Sequence, residues 1–332
     1  MATRVLVVGG AGYIGSHCAR ALVEDGFEVV TFDDLSTGHA QAVQGPLVVG
    51  DIRDGAALRR ALRAHRPDAV MHFAAKALVG ESVAQPSLYF DVNVGGSAAL
   101  IAAMRETGVR RLVFSSTCAV FGDPERCPLD EGQARRPLSP YGESKLMVEQ
   151  IIERARAHEG LQAGVLRYFN AAGAALDGAL GEAHSPETHL IPLALAAARG
   201  ERPPLQLFGT DYPTRDGTCV RDYVHVLDLA SAHLACLKRL LDGDAGGAWN
   251  LGTGRGTSNR EVLDAVGRAV GAPVPVVEAP RRAGDPAELW ADPRLAMQDL
   301  AWRPAFAGID DIVGTAARWS AAPRFGPDRR TA

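Results

Sequence analysis

Apolar and polar positions follow two periods in the first half of the chain. Val5-Leu6-Val7-Val8, Val29-Val30 with Phe32, and Leu112-Val113-Phe114 are short continuous apolar runs, the pattern of strands buried on both faces. Helical spacing follows elsewhere, clearest in Leu146, Val148, Ile151 and Ile152. Strand runs alternating with helices to about residue 170 predict an α/β fold, one doubly wound parallel (Rossmann) sheet. Beyond it, Pro192, Pro203-Pro204, Pro213 and Pro273-Val274-Pro275 break the rhythm into shorter pieces. A smaller α/β lobe is the expectation there. Residues 1–169 are expected to form the Rossmann domain. Residues 170–332 mainly form the second, with some segments returning to the first sheet. No internal repeat or low-complexity linker separates the two, so they should share an interface. The polar stretch from Ala321 to Ala332 is expected to fray.

Composition narrows the class of protein. The 332 residues suffice for a large core, and the net charge of -4, with no basic stripe among aromatics, points away from nucleic acid and from a membrane surface. The first strand begins at Arg4, which leaves no room for a signal peptide, and no apolar run approaches a membrane span. Cys18, Cys118, Cys127, Cys219 and Cys236 are odd in number and show no C-x-x-C pair, as expected of reduced cytoplasmic thiols. Nine scattered histidines without H-x-x-x-H spacing indicate no metal. Cys118 is read as a small buried apolar residue rather than a nucleophile.

The chemistry begins where the first strand ends. Gly9, Gly12 and Gly15 form G-x-x-G-x-x-G directly after Arg4–Val8. A glycine turn there lets the backbone approach a pyrophosphate, whose charge rests on the amides and dipole of the next helix. Glycines alone occur in many α/β turns. Asp33, roughly 20 residues on and after the second strand, supplies the acid expected on the adenosine ribose hydroxyls. A carboxylate there repels a 2′-phosphate, which favours NAD over NADP.

Tyr141-Gly142-Glu143-Ser144-Lys145 is a Y-x-x-x-K, and its interval puts both side chains on one helix face. A free tyrosine titrates near about 10, so a neighbouring ammonium and a nicotinamide cation are needed to make it a base at neutral pH. Thr117 ends the Arg111–Thr117 strand, at the carboxyl edge where open α/β sheets bind ligands. Alone it is equally a strand-end cap.

With these residues the chain resembles the extended short-chain dehydrogenase/reductase family, and within it the UDP-glucose 4-epimerase branch. The resemblance runs from about Arg4 to about Trp302. Gly9–His17 matches the cofactor loop, Gly50–Asp54 the adenine-side segment, and His72–Lys76 with Val79–Ser82 the segment after the fourth strand. Asn93 falls in the N-V-x-G helix, Ser139–Glu149 matches the catalytic helix, and Leu166–Asn170 leads into the second lobe. Asp211–Thr214, Asp216–Thr218 and Val220–Val226 form the most specific block.

The resemblance implies a tightly bound NAD held by Gly9, Gly12, Tyr13, Ile14, Gly15, Asp33, Asp34, Asp51 and Ile52. It extends that site to Phe73, Ala74, Ala75, Lys76, Asn93, Ser115, Tyr168 and Phe169, together with Tyr141 and Lys145. It implies C4 epimerisation of UDP-glucose and UDP-galactose through a transient 4-keto sugar, with Tyr141 as base, Thr117 on the same hydroxyl and Lys145 tuning the phenolate. The uridine diphosphate is the anchor while the sugar turns. Arg221 and Arg282 are the expected diphosphate clamps, with Asn170 as neutral donor and Asp285 on the uridine ribose. Leu205 and Phe208 match the uracil-side segment, and His189, Leu190, Tyr223 and Leu289 complete the substrate set. A homodimer through the helices near Asn93 and Tyr141 is implied by the same analogy.

Three positions depart from the family pattern. Asp34 stands where Asn is frequent and adds a second carboxylate at the adenosine end. Lys76 precedes Ala77, the position where some members carry the lysine, which leaves open which lysine meets the cofactor phosphates. His189 replaces a frequent Asn and could add a titration near neutral pH. A 4,6-dehydratase is disfavoured because Cys118 and Ala119, not an acid, follow Thr117. A UDP-sugar 4-epimerase acting on N-acetylhexosamines, uronic acids or pentoses remains open. So does a reductase using free NADH, and, from another class, a non-catalytic NAD-binding redox sensor, which would be expected to lack Tyr141 or Lys145.

Overall fold

A computed structural model describes residues 2–282 and 285–326. The first half alternates as the periodicity predicts: β1 (Arg4–Val8), α1 (Tyr13–Glu24), β2 (Glu28–Asp33), β3 (Leu47–Val49), α2 (Gly55–His65), β4 (Ala69–His72), α3 (Val79–Ala84), α4 (Pro86–Tyr89), α5 (Gly96–Thr107), β5 (Arg111–Thr117), α6 (Pro140–Glu159) and β6 (Gln162–Tyr168). The second half continues with β7 (Asn170–Ala172), α7 (Leu190–Ala198), β8 (Leu205–Phe208), β9 (Val220–Arg221), β10 (Tyr223–His225), α8 (Val226–Leu241), β11 (Ala248–Asn250), β12 (Thr257–Ser258), α9 (Asn259–Val270), β13 (Val276–Ala279), β14 (Glu288–Leu289), α10 (Arg294–Asp299) and α11 (Ile309–Ala321).

Among the described residues, seven parallel strands form one sheet in the order β11-β6-β5-β4-β1-β2-β3. The order reverses at β1, so the carboxyl ends of β1 and β4 flank a crevice, as expected of a doubly wound sheet. Both faces are covered. One core joins Val5 and Val7 of β1 to Leu22 of α1 and to Leu229, Leu237 and Trp249, and the other joins Leu6 and Val8 to Leu62, Leu100, Met104 and Ile152. Because α8 and β11 complete the first layer, the chain returns to this sheet after crossing into the second half. Polar residues of the return, such as Asp228, are buried with their carboxylate oxygens held by the Ala305 and Phe306 amides.

The second half builds a smaller lobe around Ile191, Leu195, Leu207, Val262, Val266 and Val313, on parallel β8 and β13 and the short ladder β12-β9-β14. Of the tail expected to fray, residues 327–332 lie outside the described residues. One sequence expectation is corrected. Residues 86–107 form a continuous helical run long and apolar enough to span a membrane by length and composition. Leu100, Ile101, Ala103 and Met104 of this run instead pack beneath the sheet against α2 and α6 elements.

Candidate active site

At the end of β1 the backbone turns with Gly9 at φ +81°, a conformation that favours glycine, and a Cβ there would overlap the Ala74 backbone after β4. A Cβ at Gly15 would overlap the Gly9 carbonyl oxygen, so α1 is packed directly on the turn. Gly12 is the N-cap of α1 with no capping side chain and no acid in the first turn, which leaves the dipole and the first amides, those of Tyr13 and Ile14 included, to an anion. Asp33 ends β2, buried, with Oδ2 accepting the Ala11 amide at 3.0 Å and Oδ1 the Leu35 amide at 2.8 Å. Burial raises its pKa, and those two amides pull it back. Asp34 is exposed and accepts the Ser36 amide. A Cβ-free turn, an uncapped helix and a carboxylate at the neighbouring strand end suit a dinucleotide diphosphate whose ribose is unphosphorylated.

The other cofactor positions divide into open and committed side chains. Tyr13 donates its hydroxyl to the Gly173 carbonyl at 2.7 Å, tying the turn to the segment after β7. Ile14 packs on the sheet core, and Ile52 is buried in the core on the opposite face. Asp51 pairs with Arg53, which also reaches Asp91 at 2.6 Å. Phe73, Ala74, Ala75 and Lys76 are partly buried along the crevice. Asn93, expected to touch the cofactor, has its amide engaged internally. Its Oδ1 accepts the Lys76 amide at 2.8 Å, while Nδ2 donates to the Lys76 carbonyl and to Ser144 Oγ at 3.0 and 2.9 Å. It lies in a π-helical segment, Phe90–Gly95, and clamps the loop after β4 to α6.

Helix α6 starts with Ser139 accepting the Gly142 amide and Pro140 in the first turn, so Tyr141 and Lys145 share one face against β5. Thr117, buried at the end of β5, caps the following turn by accepting the Ala119 amide and hydrogen-bonds the Tyr141 phenol. Burial pushes Tyr141 up to about 12, and the Thr117 bond offsets part of that. Lys145 donates its ammonium to the Ser115 carbonyl at 3.0 Å and sits over the Phe114 ring at 4.9 Å, which fixes it at the carboxyl end of β5. Burial brings Lys145 down to about 8, with Glu149 working in the opposite direction. Ser115 Oγ bonds the Tyr168 hydroxyl, linking β5 to β6, and Phe169 packs beside Cys118, Phe121 and Leu129.

Glu149 is the functional residue the sequence reading left without a role. It is 1% exposed, one turn past Lys145, and receives Ser116 Oγ at 2.5 Å and Arg167 at 2.9 and 2.7 Å. Arg135 reaches it at 2.9 Å. The i+4 and i+8 spacing from Lys145 and Tyr141 was visible in the chain. Its partner Arg167 comes from β6, which no local pattern reveals.

Across the crevice, Arg221 on β9 donates to the Val220 and Pro286 carbonyls at 2.9 Å each and pairs with Asp285 at 3.5 Å. Arg282 stacks its guanidinium on the Phe208 ring at 4.0 Å. Ala283 and Gly284, between these two predicted contacts, lie outside the described residues. Asn170 on β7 pairs with Tyr223 on β10, and their side chains hydrogen-bond. Leu289 is registered with Arg221 across β14 and β9 and packs in the cluster of Cys118 and Phe169, next to Thr117. The Leu205 side chain is part of the lobe's core, as is much of Leu190, whereas Gln206 of that strand is exposed and Phe208 is partly open. Asp222, which the sequence reading quoted without a role, is fully buried and receives Thr253 and Ala291, anchoring the block that carries Arg221.

His189 precedes α7, and the neutral-pH titration that the sequence left open at this position moves upward. Burial lowers its pKa, but hydrogen bonds to Glu182 and Glu187 outweigh that and push it up to about 10. These three residues and His184 converge, a grouping that the spacing of histidines alone did not indicate.

The family profile "NAD dependent epimerase/dehydratase family" matches residues 5–252. The UDP-glucose 4-epimerase of Rhizobium meliloti is 48% identical over 316 residues, 95% of this chain and 96% of that protein. The crystal structure of UDP-glucose 4-epimerase from Brucella ovis in complex with NAD superposes with a TM-score of 0.94 at 49% identity, covering 96% of this chain and 99% of that one. A Stenotrophomonas maltophila UDP-glucose 4-epimerase with bound NAD and formylated UDP-arabinopyranose gives 0.93 at 41% identity, covering 96% and 98%. A glycine turn built for a dinucleotide, a Thr-Tyr-Lys constellation beside it and likeness over nearly the full length agree: the chain belongs to the NAD dependent epimerase/dehydratase family, in its UDP-glucose 4-epimerase branch.

Proposed function

We propose that this enzyme interconverts UDP-glucose and UDP-galactose by inverting C4 through a transient 4-keto sugar, with Tyr141 as the proton-transfer group. The observation that carries the proposal is Tyr141 beside Thr117, one helical turn before Lys145, whose ammonium is fixed on the Ser115 carbonyl of β5. When bound, NAD supplies the hydride acceptor and donor and a positive charge, so no net oxidation is needed. Tyr141 takes the proton of the C4 hydroxyl and gives it back after the sugar has turned. Thr117 holds the same hydroxyl, and Lys145, fixed by the Ser115 carbonyl, holds the cofactor ribose. Arg221 and Arg282 bind the diphosphate and Asp285 the uridine ribose, because guanidinium offers phosphate a fixed fork of donors. Asn170 and His189 add donors, and Phe208 and Leu289 border the base and the sugar.

Residues 1–169 are assigned to NAD and 170–332 mainly to the UDP-sugar. Five unpaired cysteines support a reducing, cytoplasmic setting. Exposed Val79, Val83, Leu138 and Met147 around α3 and α6 support a homodimer on that face, which gel filtration tests. The reaction is tested by incubating purified protein with UDP-galactose and no added NAD. Formation of UDP-glucose, read by chromatography, is the expected result. Its absence rejects the proposal and leaves a redox sensor or a reductase that needs free cofactor.

A further inference from the structure

We propose that Glu182, His184, Glu187 and His189 form a binding site for one divalent transition-metal cation of the zinc class. Each residue aims one donor atom into the same small volume, and all four atoms lie within 4.8 Å of one another. His189 Nδ1 is 2.6 Å from Glu182 Oε1 and 3.1 Å from Glu187 Oε1. His184 Nδ1 is 3.1 Å from Glu182 Oε1 and 3.8 Å from Glu187 Oε2. Four ligands held about 2.0–2.2 Å from a tetrahedral ion stand about 3.3–3.6 Å apart, from bond length and angle alone. The observed separations bracket that value. Small side-chain rotations would therefore complete a shell already in place.

The charge and donor chemistry agree. With both imidazoles neutral the cluster carries two negative charges, which one divalent ion neutralises. The Glu182 side chain is only 7% exposed and faces both imidazoles, so its charge calls for a cation there, either a metal ion or the protonated rings. Glu187 Oε1 accepts the Thr188 and His189 amides at 2.7 and 2.8 Å, an orienting contact of the kind that fixes metal-bound carboxylates. Two imidazole nitrogens argue against magnesium and calcium, which take oxygen ligands, and the absence of a thiolate from the set argues against copper(I). The rings of His184 and His189 lie 5.2 Å apart, and His184 meets Tyr13 of the glycine turn edge-on at 6.1 Å. An ion here would staple the segment entering α7 beside that turn. Its role is structural, and it takes no part in the C4 chemistry.

The rival occupant of the cluster is a pair of protons, giving two imidazolium-carboxylate ion pairs. The test distinguishes them without reference to turnover. Wild-type protein is stripped with a chelator, equilibrated with Zn²⁺ and then desalted, and its metal content is measured by mass spectrometry. Co²⁺ is added to a second portion for its visible spectrum. About one equivalent of zinc and intense tetrahedral Co²⁺ bands are expected, with a thermal transition that rises with Zn²⁺ and falls back with chelator. His184→Ala and Glu187→Gln are each expected to lower occupancy below about a tenth of an equivalent, since each removes a ligand. Metal-free circular dichroism identifies which variants are folded. No saturable zinc on the wild type, or full occupancy in a folded variant, overturns the proposal in favour of the protonated network.

Discussion

Replacing Glu149 by Gln tests how the buried network beneath the catalytic helix works. The substitution keeps size and shape but removes the charge that Arg167 faces at 2.7 and 2.9 Å. Arg167 is 3% exposed and its Nη1 already lacks a hydrogen-bond partner, so it has no solvent to turn to. Breaking a buried pair from one side costs about 3–5 kcal/mol, a large share of the roughly 5–15 kcal/mol that holds a domain folded. Arg135 and Ser116 keep part of their bonding, so the lower end is expected. The same carboxylate supports Lys145, which burial has already brought down to about 8. Without it the ammonium loses its proton at a lower pH still. The sign follows: if charged Lys145 is required, the alkaline limb of the pH–rate profile moves toward acid in the variant. Urea unfolding with NAD present measures the first effect, and initial rates on UDP-galactose from pH 6 to about 10 measure the second. A stability loss under about 1 kcal/mol would refute the burial argument. An alkaline limb that stays in place would refute the link to Lys145.

Tyr141→Phe keeps the ring and removes the proton acceptor, so epimerisation should fall by roughly 10²–10⁴-fold with the unfolding transition unchanged, and near wild-type rates would reject the assignment. Gly15→Ala drives a Cβ into the Gly9 carbonyl, and purified protein should then carry little NAD by mass spectrometry, whereas the wild type should release NAD and little NADP. His17, His225 and His233 are held down to about 4 and His72 to about 3, chiefly by burial. The unfolded chain takes up those protons first, so stability is lost as pH falls from about 6.5 toward 4, by about 1.4 kcal/mol per pH unit for each histidine. Asp222, raised to about 6 by burial, opposes this below pH 6, and Asp33, Glu131 and Asp228, which burial also raises, oppose it further toward acid, so urea midpoints should drop most clearly from pH 6.5 to 6. Leu289→Tyr should abolish the weak turnover of UDP-N-acetylglucosamine expected of the wild type while sparing UDP-glucose, and an unchanged ratio would move the sugar gate elsewhere.

The parallel sheet was legible because buried parallel strands must be apolar on both faces, and runs such as Val5–Val8 and Leu112–Phe114 admit little else. The glycine turn was legible for a related reason, since a close backbone approach leaves glycine as the residue that fits at Gly9 and Gly15. Tyr141 and Lys145 were placed on one face by helical geometry alone. What a residue does after arriving is set by partners distant in sequence. Lys145 spends its ammonium on the Ser115 carbonyl, Asn93 spends its amide on Lys76 and Ser144, and Leu205 turns into a core built from α7 and α9. Glu149 gains its meaning from Arg167 of β6, and Glu182 and His184 theirs from a loop that folds back on His189. Periodicity reports which face a side chain occupies. Which charges meet there depends on chain crossings, and the tertiary fold alone decides those.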